Sequence, residues 1–366
     1  MENIAASEAL AIAVSAGVPV LLWGSPGTGK TSAVVALAEA IGWPCEVVIG
    51  SIREPTDFGG LPVVFEGGVN LAPPAWAKRL LEAGHGLLFL DELTTAPPAV
   101  QAAMLRVVLE RTVGDLRLPA AVRVVAAANP PDEAADGWEL APPLANRLVH
   151  LDWPADGRYI ARGLAVGFPA PSLFPFDGGS PGETARLTAR ATVAAFLEVR
   201  PDLVLQLPRS AADAGRGWPS PRSWEAVATL LAACAAANAS DDAREQLLTG
   251  AVGDGAAIEF LSWLEHLDLP DPEEVLADPD AFELPERSDR AFAVMTAVAT
   301  VAVAGGDPER WQRAWRVVAK AAEQAPDVAT LVARTLAAKR PAGAELPESV
   351  LELAPVLRAA GLLEGR

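Results

Sequence analysis

A glycine-rich segment near the amino terminus carries the clearest chemistry in the chain. It is Gly24-Ser25-Pro26-Gly27-Thr28-Gly29-Lys30-Thr31, which fits the pattern GxxxxGK[ST]. Glycines let such a loop curl so that successive backbone N–H groups point at a phosphate chain, and the helix that follows adds its positive end. Lys30 can then reach the outer phosphates, and the Thr31 hydroxyl can bind Mg²⁺. We therefore predict a polyphosphate site with bound Mg²⁺ at residues 24–31.

Two acids and an amide follow two later apolar runs. Asp91 and Glu92 come directly after residues 87–90 (LLFL), and Asn129 comes after residues 122–128 (VRVVAAA). If both runs are parallel strands, their carboxyl ends meet at the edge of the sheet beside the phosphate loop. Asp91 would then hold Mg²⁺, Glu92 would polarise an attacking water, and Asn129 would orient that water or touch the last phosphate. Alone, such residues are ordinary strand-end and turn chemistry, so this assignment depends on the loop.

The elements that must position these residues alternate in the first part of the chain. Short apolar runs at 18–23, 46–49, 87–90 and 122–128 predict buried strands, and residues 31–41 predict a helix closed by Gly42. Strands joined by helical segments favour a parallel sheet covered on both faces.

Beyond a Pro- and Gly-rich stretch at 165–183, the pattern becomes helical. An acidic, Pro-rich stretch at 268–288 marks a second boundary. The predicted helices are 184–199, 222–238, 241–266, 289–304, 308–324 and 346–360.

Composition limits the classes of protein to consider. The 366 residues include 29 Lys+Arg and 47 Asp+Glu, for a net charge of −18, and 51% are apolar. The length suggests two or three domains with a large core, and the acidity argues against a broad nucleic-acid or anionic-membrane surface. Two cysteines far apart, no basic leader at the amino terminus and no apolar run of about 18 residues predict a cytoplasmic protein without a membrane span. The three histidines show no zinc-type spacing.

Six stretches together resemble an AAA+ ATPase of the MoxR-like branch. They are VPVLLWGSPGTGKT (18–31), REPTDFGGLP (53–62), GLLFLDELTTAPPAVQAAMLRVVLERTVGD (86–115), VRVVAAANPP (122–131), LAPPLANRLVHLDWP (140–154) and WPSPRSWE (218–225). The resemblance implies an α/β fold: a P-loop NTPase parallel sheet, then an all-α lid and a C-terminal helical extension. We predict the corresponding domains at 1–153, 154–267 and 268–366.

The same resemblance assigns roles to individual residues. Asp91 and Glu92 match the Walker B pair, and Asn129 matches sensor 1. Arg147, in LANRL, matches the arginine finger that reaches the nucleotide of a neighbouring subunit. Arg222, in PSPRSW, matches sensor 2, an arginine at the start of a lid helix that contacts the bound nucleotide. Without the resemblance, both arginines would be interpreted as ordinary residues near helix ends.

Two segments are expected to form a surface that remodels a substrate. By the resemblance, residues 58–72 are an insertion in the second helix and residues 110–122 a hairpin ahead of sensor 1, both facing the central pore of a ring. Phe58 and Phe65 are the candidate aromatics that touch substrate. The alternative, that these aromatics are tucked into the core, is equally compatible with the sequence.

The resulting prediction is an enzyme that hydrolyses ATP, with ATP and Mg²⁺ as cofactors. A finger that acts on a neighbour requires a ring, predicted to be a hexamer, that remodels a protein client like a chaperone. Members of this branch commonly act with a von Willebrand factor A domain protein. One alternative is a nucleic-acid-directed machine related to helicases or clamp loaders, with Arg111, Arg117 and Arg123 lining a channel. Another is a nucleotide-dependent scaffold without turnover.

Overall fold

The computed structural model describes residues 2–130, 133, 137–169, 171, 181–266, 269–345, 347, 348 and 350. The chain forms two compact units, one of residues 1–181 and 203–258, the other of 182–202 and 259–366. The predicted helix at 346–360 lies almost wholly outside the described residues, as do residues 172–180 of the predicted loop.

The strands in the described part of the chain all belong to the first unit. They are β1 (Val20–Trp23), β2 (Cys45–Ile49), β3 (Leu61–Phe65), β4 (Gly68–Ala72), β5 (His85–Asp91), β6 (Thr112–Val113), β7 (Leu116–Arg117), β8 (Ala121–Ala128) and β9 (Val149–Asp152).

The helices in the described part continue into the second unit. They are α1 (Glu2–Ala16), α2 (Lys30–Ala40), α3 (Thr56–Gly59), α4 (Ala75–Ala83), α5 (Pro98–Glu110), α6 (Pro142–Ala145), α7 (Gly157–Val166), α8 (Glu183–Val199), α9 (Ala211–Ala214), α10 (Pro221–Ala237), α11 (Asp241–Val252), α12 (Asp254–Glu265), α13 (Pro272–Ala277), α14 (Ser288–Val303), α15 (Pro308–Ala322) and α16 (Pro326–Ala338).

Five parallel strands form the central sheet, in the order β2-β5-β8-β1-β9. The four strands predicted from apolar runs are β1, β2, β5 and β8, and the parallel α/β fold is confirmed. Strand β1 pairs with β8 on one side and β9 on the other, while the chain leaves β1 for the edge strand β2. The strand order therefore switches at β1, and a crevice opens at the carboxyl ends of such strands. Residues 24–31 follow β1 into that crevice.

The predicted helix at 241–266 is two helices. Helix α11 ends at Val252, and Gly253 has a φ of 80° before α12 begins at Asp254. A side chain at position 253 would be strained by this φ, and its Cβ would lie 2.9 Å from the carbonyl oxygen of Gly217. Glycine is needed here because a left-handed turn and a close backbone approach coincide.

Two hairpins form the segments predicted to touch substrate, and they contact each other. Strands β3 and β4 pair as one antiparallel hairpin, and β6 and β7 as another. The Asp115 carboxylate accepts a hydrogen bond of 2.7 Å from the N–H of Leu71, while its own N–H donates to the Leu71 carbonyl at 3.0 Å. Gly114, with a φ of 59°, leaves no room for a Cβ beside Leu71. The two hairpins are therefore joined directly through Leu71 and the Gly114–Asp115 turn.

The two candidate aromatics of these segments differ in burial. Phe65 is 49% exposed at the end of β3, together with exposed Val64 and Val69. Phe58 is fully buried and packs against Trp76, with ring centroids 6.2 Å apart. The expectation that Phe58 touches substrate is therefore wrong, because α3 turns its ring into the core under the sheet.

The second unit has a helical core of its own. Trp311 and Trp315 on α15 are both buried, and the Trp311 indole donates to the Leu336 carbonyl at 2.8 Å. The helices around them are α13, α14 and α16. Among the described residues, one helical stretch, Ser288–Gly306, is long and apolar enough to cross a membrane, and half of it is buried within the protein, as in the core helix of a globular domain.

Candidate functional site

The glycine-rich loop joins β1 to α2 and is shaped by its glycines. Gly27 and Gly29 have φ values of 81° and 87°, which residues with a side chain adopt only rarely. A Cβ on Gly24 would lie 2.5 Å from the Trp153 carbonyl oxygen, so glycine is needed there for close approach. Helix α2 begins at Lys30, and its positive amino-terminal end faces the loop. Backbone N–H groups and a helix end together make an anion site.

Lys30 lies inside the loop. Its Nζ donates to the carbonyl oxygens of Gly24 at 2.5 Å and Ser25 at 3.0 Å, and to Oδ1 of Asn129 at 3.0 Å. Burial lowers the pKa of Lys30, while Asp91 and Glu133 act in the opposite direction. The ammonium group therefore bridges the phosphate loop and the end of β8, where a phosphate chain can replace its carbonyl partners.

Thr31 and Asp91 meet at the same edge of the sheet. The Thr31 hydroxyl donates to Oδ2 of Asp91 at 2.8 Å, and the other oxygen, Oδ1, accepts from the N–H of Glu92 at 2.9 Å. A hydroxyl and a carboxylate are oxygen ligands of the kind Mg²⁺ prefers, with further ligands from water and phosphate. The donor set fits this ion. No cluster of three or more His, Cys, Asp or Glu side chains that could hold a metal occurs in the described part of the chain.

Glu92 sits in a left-handed backbone conformation, with a φ of 56°. Such a conformation is uncommon for a residue with a side chain and often marks a functional position. The Glu92 carboxylate accepts a hydrogen bond from the hydroxyl of Ser51, in the single helical turn Gly50–Ile52 after β2. The sequence analysis did not include Ser51 in the site. Its position just after β2, the strand that pairs with β5, is the feature of the sequence that could have indicated it.

A cavity of about 370 Å³ adjoins the phosphate loop. Its lining is largely apolar and aromatic, and it includes backbone of the loop at residues 27–29. The side chains that shape it are Ser7, Leu10, Leu37, Trp153, Tyr159, Ile160 and Phe168. Apolar space lined by aromatic side chains next to a phosphate site suits the base of a nucleotide. We call this space the base cavity.

Two tryptophans connect the phosphate loop to β9. The Trp153 indole donates to the Thr28 carbonyl at 3.2 Å, which fixes one peptide of the loop. The Trp23 indole donates to Nδ1 of His150 at 2.8 Å, and the Arg216 guanidinium lies 4.4 Å from the centre of the Trp23 ring. Burial lowers the pKa of His150 to about 4, so His150 is a neutral acceptor here. Neither tryptophan was predicted as part of the site.

Arg147 and Arg222 come together at the opposite end of the strands, where β1 and β9 begin. Both line a cavity of about 320 Å³ with residues 16–19, which precede β1. Arg147 itself lies two residues before β9. Burial, and then the charge of Arg222, lower the pKa of Arg147. The phosphate loop lies at the carboxyl end of β1, so neither arginine is beside the phosphate loop of its own chain.

A buried polar cluster joins the two backbone segments that carry these arginines. Asn146 donates from Nδ2 to the Trp218 carbonyl at 2.9 Å, and its Oδ1 accepts from the Ser220 hydroxyl at 2.7 Å. Ser220 is the N-cap of α10, where Ser220 and Ser223 form a capping box. Asn146 precedes Arg147 and Ser220 precedes the turn with Arg222, so the cluster links the backbones that carry both guanidinium groups.

Comparison with known proteins places residues 19–148 in one family. That stretch matches the family described as AAA domain (dynein-related subfamily). The chain is 36% identical over 101 residues to protein MoxR of Paracoccus denitrificans, covering 27% of this chain and 29% of MoxR. It is 34% identical over 123 residues to the C4-dicarboxylate transport transcriptional regulatory protein DctD of Rhizobium meliloti, covering 30% of this chain and 26% of DctD. The chain thus spans less than a third of the length of these two relatives.

Among solved structures, a full-length MCM homologue from Methanopyrus kandleri is similar with a TM-score of 0.40 and 21% identity. That similarity covers 71% of this chain and 54% of the homologue. A protein from Cytophaga hutchinsonii described as a candidate ATPase gives a TM-score of 0.43 and 17% identity, with coverage of 70% and 87%.

Proposed function

We propose that this chain, whose residues 19–148 match the AAA domain family and resemble protein MoxR, is an ATPase that hydrolyses ATP within a ring of identical subunits to remodel a partner protein. The observation that supports the proposal is that the residues predicted to be catalytic lie in two groups, one at each end of the strands of one sheet. Phosphate-binding and water-activating groups lie at the carboxyl edge, and a pair of arginines lies at the amino edge.

Nucleotide binding is supported by the loop and the base cavity together. The phosphates would lie along residues 24–31, with the base in the cavity lined by Tyr159 and Phe168. Thr31 and Asp91 would hold Mg²⁺, which neutralises charge on the phosphates when it is bound. The nucleotide is proposed to be a triphosphate because Glu92 can act only on a hydrolysable phosphate, and it is proposed to be ATP because residues 19–148 match the AAA domain family.

Hydrolysis is assigned to Glu92, with Asn129 and Lys30 as supporting groups. In the present arrangement the Glu92 carboxylate is bonded to Ser51, and Asn129 accepts from Lys30. When phosphates occupy the loop, they would replace the present partners of Lys30, including Oδ1 of Asn129, and Asn129 would then be free to orient water. Glu92 would then take up a proton of that water as the water oxygen bonds to the γ-phosphorus and the bond to the β–γ bridging oxygen breaks, which releases ADP and phosphate.

Arg147 and Arg222 are proposed to act on the nucleotide of a neighbouring subunit. Two like charges that line one cavity repel each other, and an anion between them relieves that repulsion. Their own phosphate loop is at the other end of the strand, so the anion is supplied by a second copy of the chain. A head-to-tail contact forms a ring when the rotation between neighbouring subunits closes, and we propose that it closes as a hexamer.

The client-binding surface is proposed to be the exposed β3–β4 hairpin. Leu61, Val64, Phe65 and Val69 are all at least 49% exposed, which is unusual for a pair of apolar strands. Contact with the β6–β7 hairpin connects this surface to the end of α5 and so to the strand that carries Asn129. A protein with a von Willebrand factor A domain is the proposed partner.

Mixing two inactive variants tests whether the site is shared between subunits. Glu92→Gln and Arg147→Ala should each bind ADP and each lack turnover. In a mixed ring, a site is complete only where an Arg147→Ala subunit, which keeps Glu92, lies beside a Glu92→Gln subunit, which keeps Arg147. Each of these two conditions is met in half of the cases, so an equal mixture should recover about a quarter of wild-type turnover. Steady-state phosphate release measures this.

The same mixture with Arg222→Ala assigns the second arginine. Recovery with Glu92→Gln shows that Arg222 acts on the neighbour, as proposed. Failure of both mixtures, with each variant assembled by light scattering, would mean that the arginines serve their own subunit. A mixture of Lys30→Ala with Arg147→Ala is the control. A Lys30→Ala subunit should not bind phosphate at its own loop, but its Arg147 should still complete the site of its neighbour.

A further inference from the structure

Asn3, near the start of α1, is a buried polar side chain without a partner. It is 1% exposed, and neither Oδ1 nor Nδ2 has a hydrogen-bond partner. A carboxamide offers two donors and one acceptor oxygen, and burying these groups unpaired destabilises a fold. Nearly all buried polar groups in proteins are paired. An unpaired one on the same helix face as residues that line a ligand cavity points to a partner that arrives with the ligand.

The position of Asn3 on α1 relates it to the base cavity. Asn3, Ser7 and Leu10 are spaced i, i+4 and i+7, so their side chains leave the helix within about 60 degrees of one another. Ser7 and Leu10 line the base cavity beside residues 27–29 of the phosphate loop. Asn3 therefore lies on the stripe of α1 that faces the cavity, one turn before Ser7.

We propose that Asn3 recognises the edge of the adenine base and is a specificity-determining residue for the nucleotide. This inference rests on the proposed binding of ATP. Adenine presents an amino donor, N6, beside a ring nitrogen that accepts, which a carboxamide matches with one acceptor and one donor. Aromatic and apolar walls such as Tyr159, Phe168 and Leu37 hold the faces of the ring, and Asn3 pairs with its edge.

Replacement of Asn3 by leucine separates this role from a structural one. Asn3→Leu keeps the branched shape and the number of heavy atoms, with a somewhat larger volume, and removes both polar groups. Because the buried amide is unpaired without ligand, the melting temperature of the nucleotide-free protein should stay equal or rise. Affinity for ADP, measured by calorimetry, should fall about ten-fold, since a good bidentate pair to a base is lost. A lower melting temperature with unchanged ADP affinity overturns the proposal.

Nucleotide analogues test the same contact in the unaltered protein, where folding is not in question. The probes are ADP, purine riboside 5′-diphosphate, which lacks the N6 amino group, and the 1-deaza and 7-deaza forms of ADP. Wild type should bind ADP about ten-fold more tightly than the analogue without N6 and than one of the two deaza forms. The sensitive deaza form identifies the paired ring nitrogen. Equal affinity for all four probes overturns the proposal.

Testing the nucleotide analogues on the Asn3→Leu variant makes the result specific to Asn3. In Asn3→Leu the preference for ADP over the analogue without N6 should disappear, and a preference that persists at wild-type size overturns the assignment. Gln324→Leu, which makes the same kind of change at an exposed carboxamide, should keep that preference. If wild type binds none of the probes, the proposed function itself fails, whereas ADP binding without discrimination removes only the role of Asn3.

Discussion

Two residues of the candidate site, Lys30 and Glu92, are held by hydrogen bonds to other groups of the protein. Lys30 occupies carbonyl partners within its own loop, and the Glu92 carboxylate is bonded to Ser51. Both groups must change partner before they can act on a nucleotide as proposed. The bond between Glu92 and Ser51 is the more informative of the two, because it can be removed without touching the phosphate loop.

Replacement of Ser51 by alanine should raise basal turnover. Loss of the hydroxyl frees Glu92 from a hydrogen bond to a charged group, which is worth enough to change the rate by up to about ten-fold. ADP affinity should be unchanged, because Ser51 touches neither the loop nor the base cavity in the described structure. Steady-state ATPase assays and calorimetry measure the two effects.

Ser51→Thr is the matched control, since it keeps a hydroxyl at the same position. Turnover of Ser51→Thr should stay close to wild type. A drop in turnover in Ser51→Ala would show instead that Ser51 holds Glu92 in its working position.

His150 should make the first unit sensitive to mild acid. Burial lowers its pKa from the ordinary 6.5 to about 4, so the unfolded chain takes up a proton that the folded chain refuses. Its contribution to stability is complete above pH 6.5 and is lost as the pH falls toward 4. Between pH 7.5 and pH 5 this loss is about 2 kcal/mol.

Urea unfolding at the two pH values measures this effect against a His150→Gln variant. Glutamine can accept from the Trp23 indole and donate to the Ala145 carbonyl without titrating. The variant should therefore lose about 2 kcal/mol less stability than wild type over the same pH interval. Parallel losses in the two proteins would assign the acid sensitivity to carboxylates instead.

At the scale of elements, the junction of β9 and α10 is the point at which one change should disturb two arginines. Asn146→Ala removes a partly buried hydrogen bond to the Trp218 carbonyl and a buried one from the Ser220 hydroxyl. Unfolding free energy should fall by about 1–3 kcal/mol. Turnover should fall as well, with ADP binding kept, because Arg147 and Arg222 lose their common support.

The control for this change is Asn70→Ala on the exposed strand β4, which should alter stability by less than about 0.5 kcal/mol. Denaturant titration and the ATPase assay together test the prediction. If Asn146→Ala were as stable and as active as wild type, the link between the two arginines through Asn146 would be excluded.

The sheet was predictable from sequence because its strands are short apolar runs that are followed by polar residues of the candidate site. The same logic brought Thr31, Asp91 and Asn129 to one edge. Ser51 and Trp153 were missed, since their partners, Glu92 and the Thr28 carbonyl, are distant in sequence and no local pattern announces such pairs. The roles of these residues and the three predicted domains stay predictions.

The break at Gly253 shows where periodicity is insufficient. Residues 241–266 keep a helical pattern throughout, and the glycine alone does not say whether the helix continues. The close approach of the Gly217 carbonyl decides it, and that carbonyl belongs to a loop far away in the sequence. Similarly, the burial of Phe58 depends on its packing against Trp76.

At the scale of the whole molecule, the charge and the placement of arginines argue against a nucleic-acid machine. Arg111 donates to the carbonyl oxygens of residues 119, 120 and 122, and Arg123 donates to that of Ala120. Burial lowers the pKa of both. Two of the arginines considered for a channel are therefore occupied in hydrogen bonds to a turn of their own chain. The net charge of −18 also disfavours a broad nucleic-acid surface.

We therefore expect no tight binding of single- or double-stranded DNA. Fluorescence anisotropy with labelled oligonucleotides at 150 mM salt should give dissociation constants weaker than about 100 µM, with or without ATP. Binding in the micromolar range that weakens steeply with added salt would reverse this preference.

The indole of Trp153 gives the phosphate loop an optical signal of its own. Its Nε1 bonds directly to the Thr28 carbonyl while its ring forms part of the base cavity. An emitter in that position experiences both the rearrangement of the loop and the stacking of any aromatic guest. Occupancy of the site should therefore change the intensity and wavelength of intrinsic emission, so that binding rates become measurable on unlabelled protein.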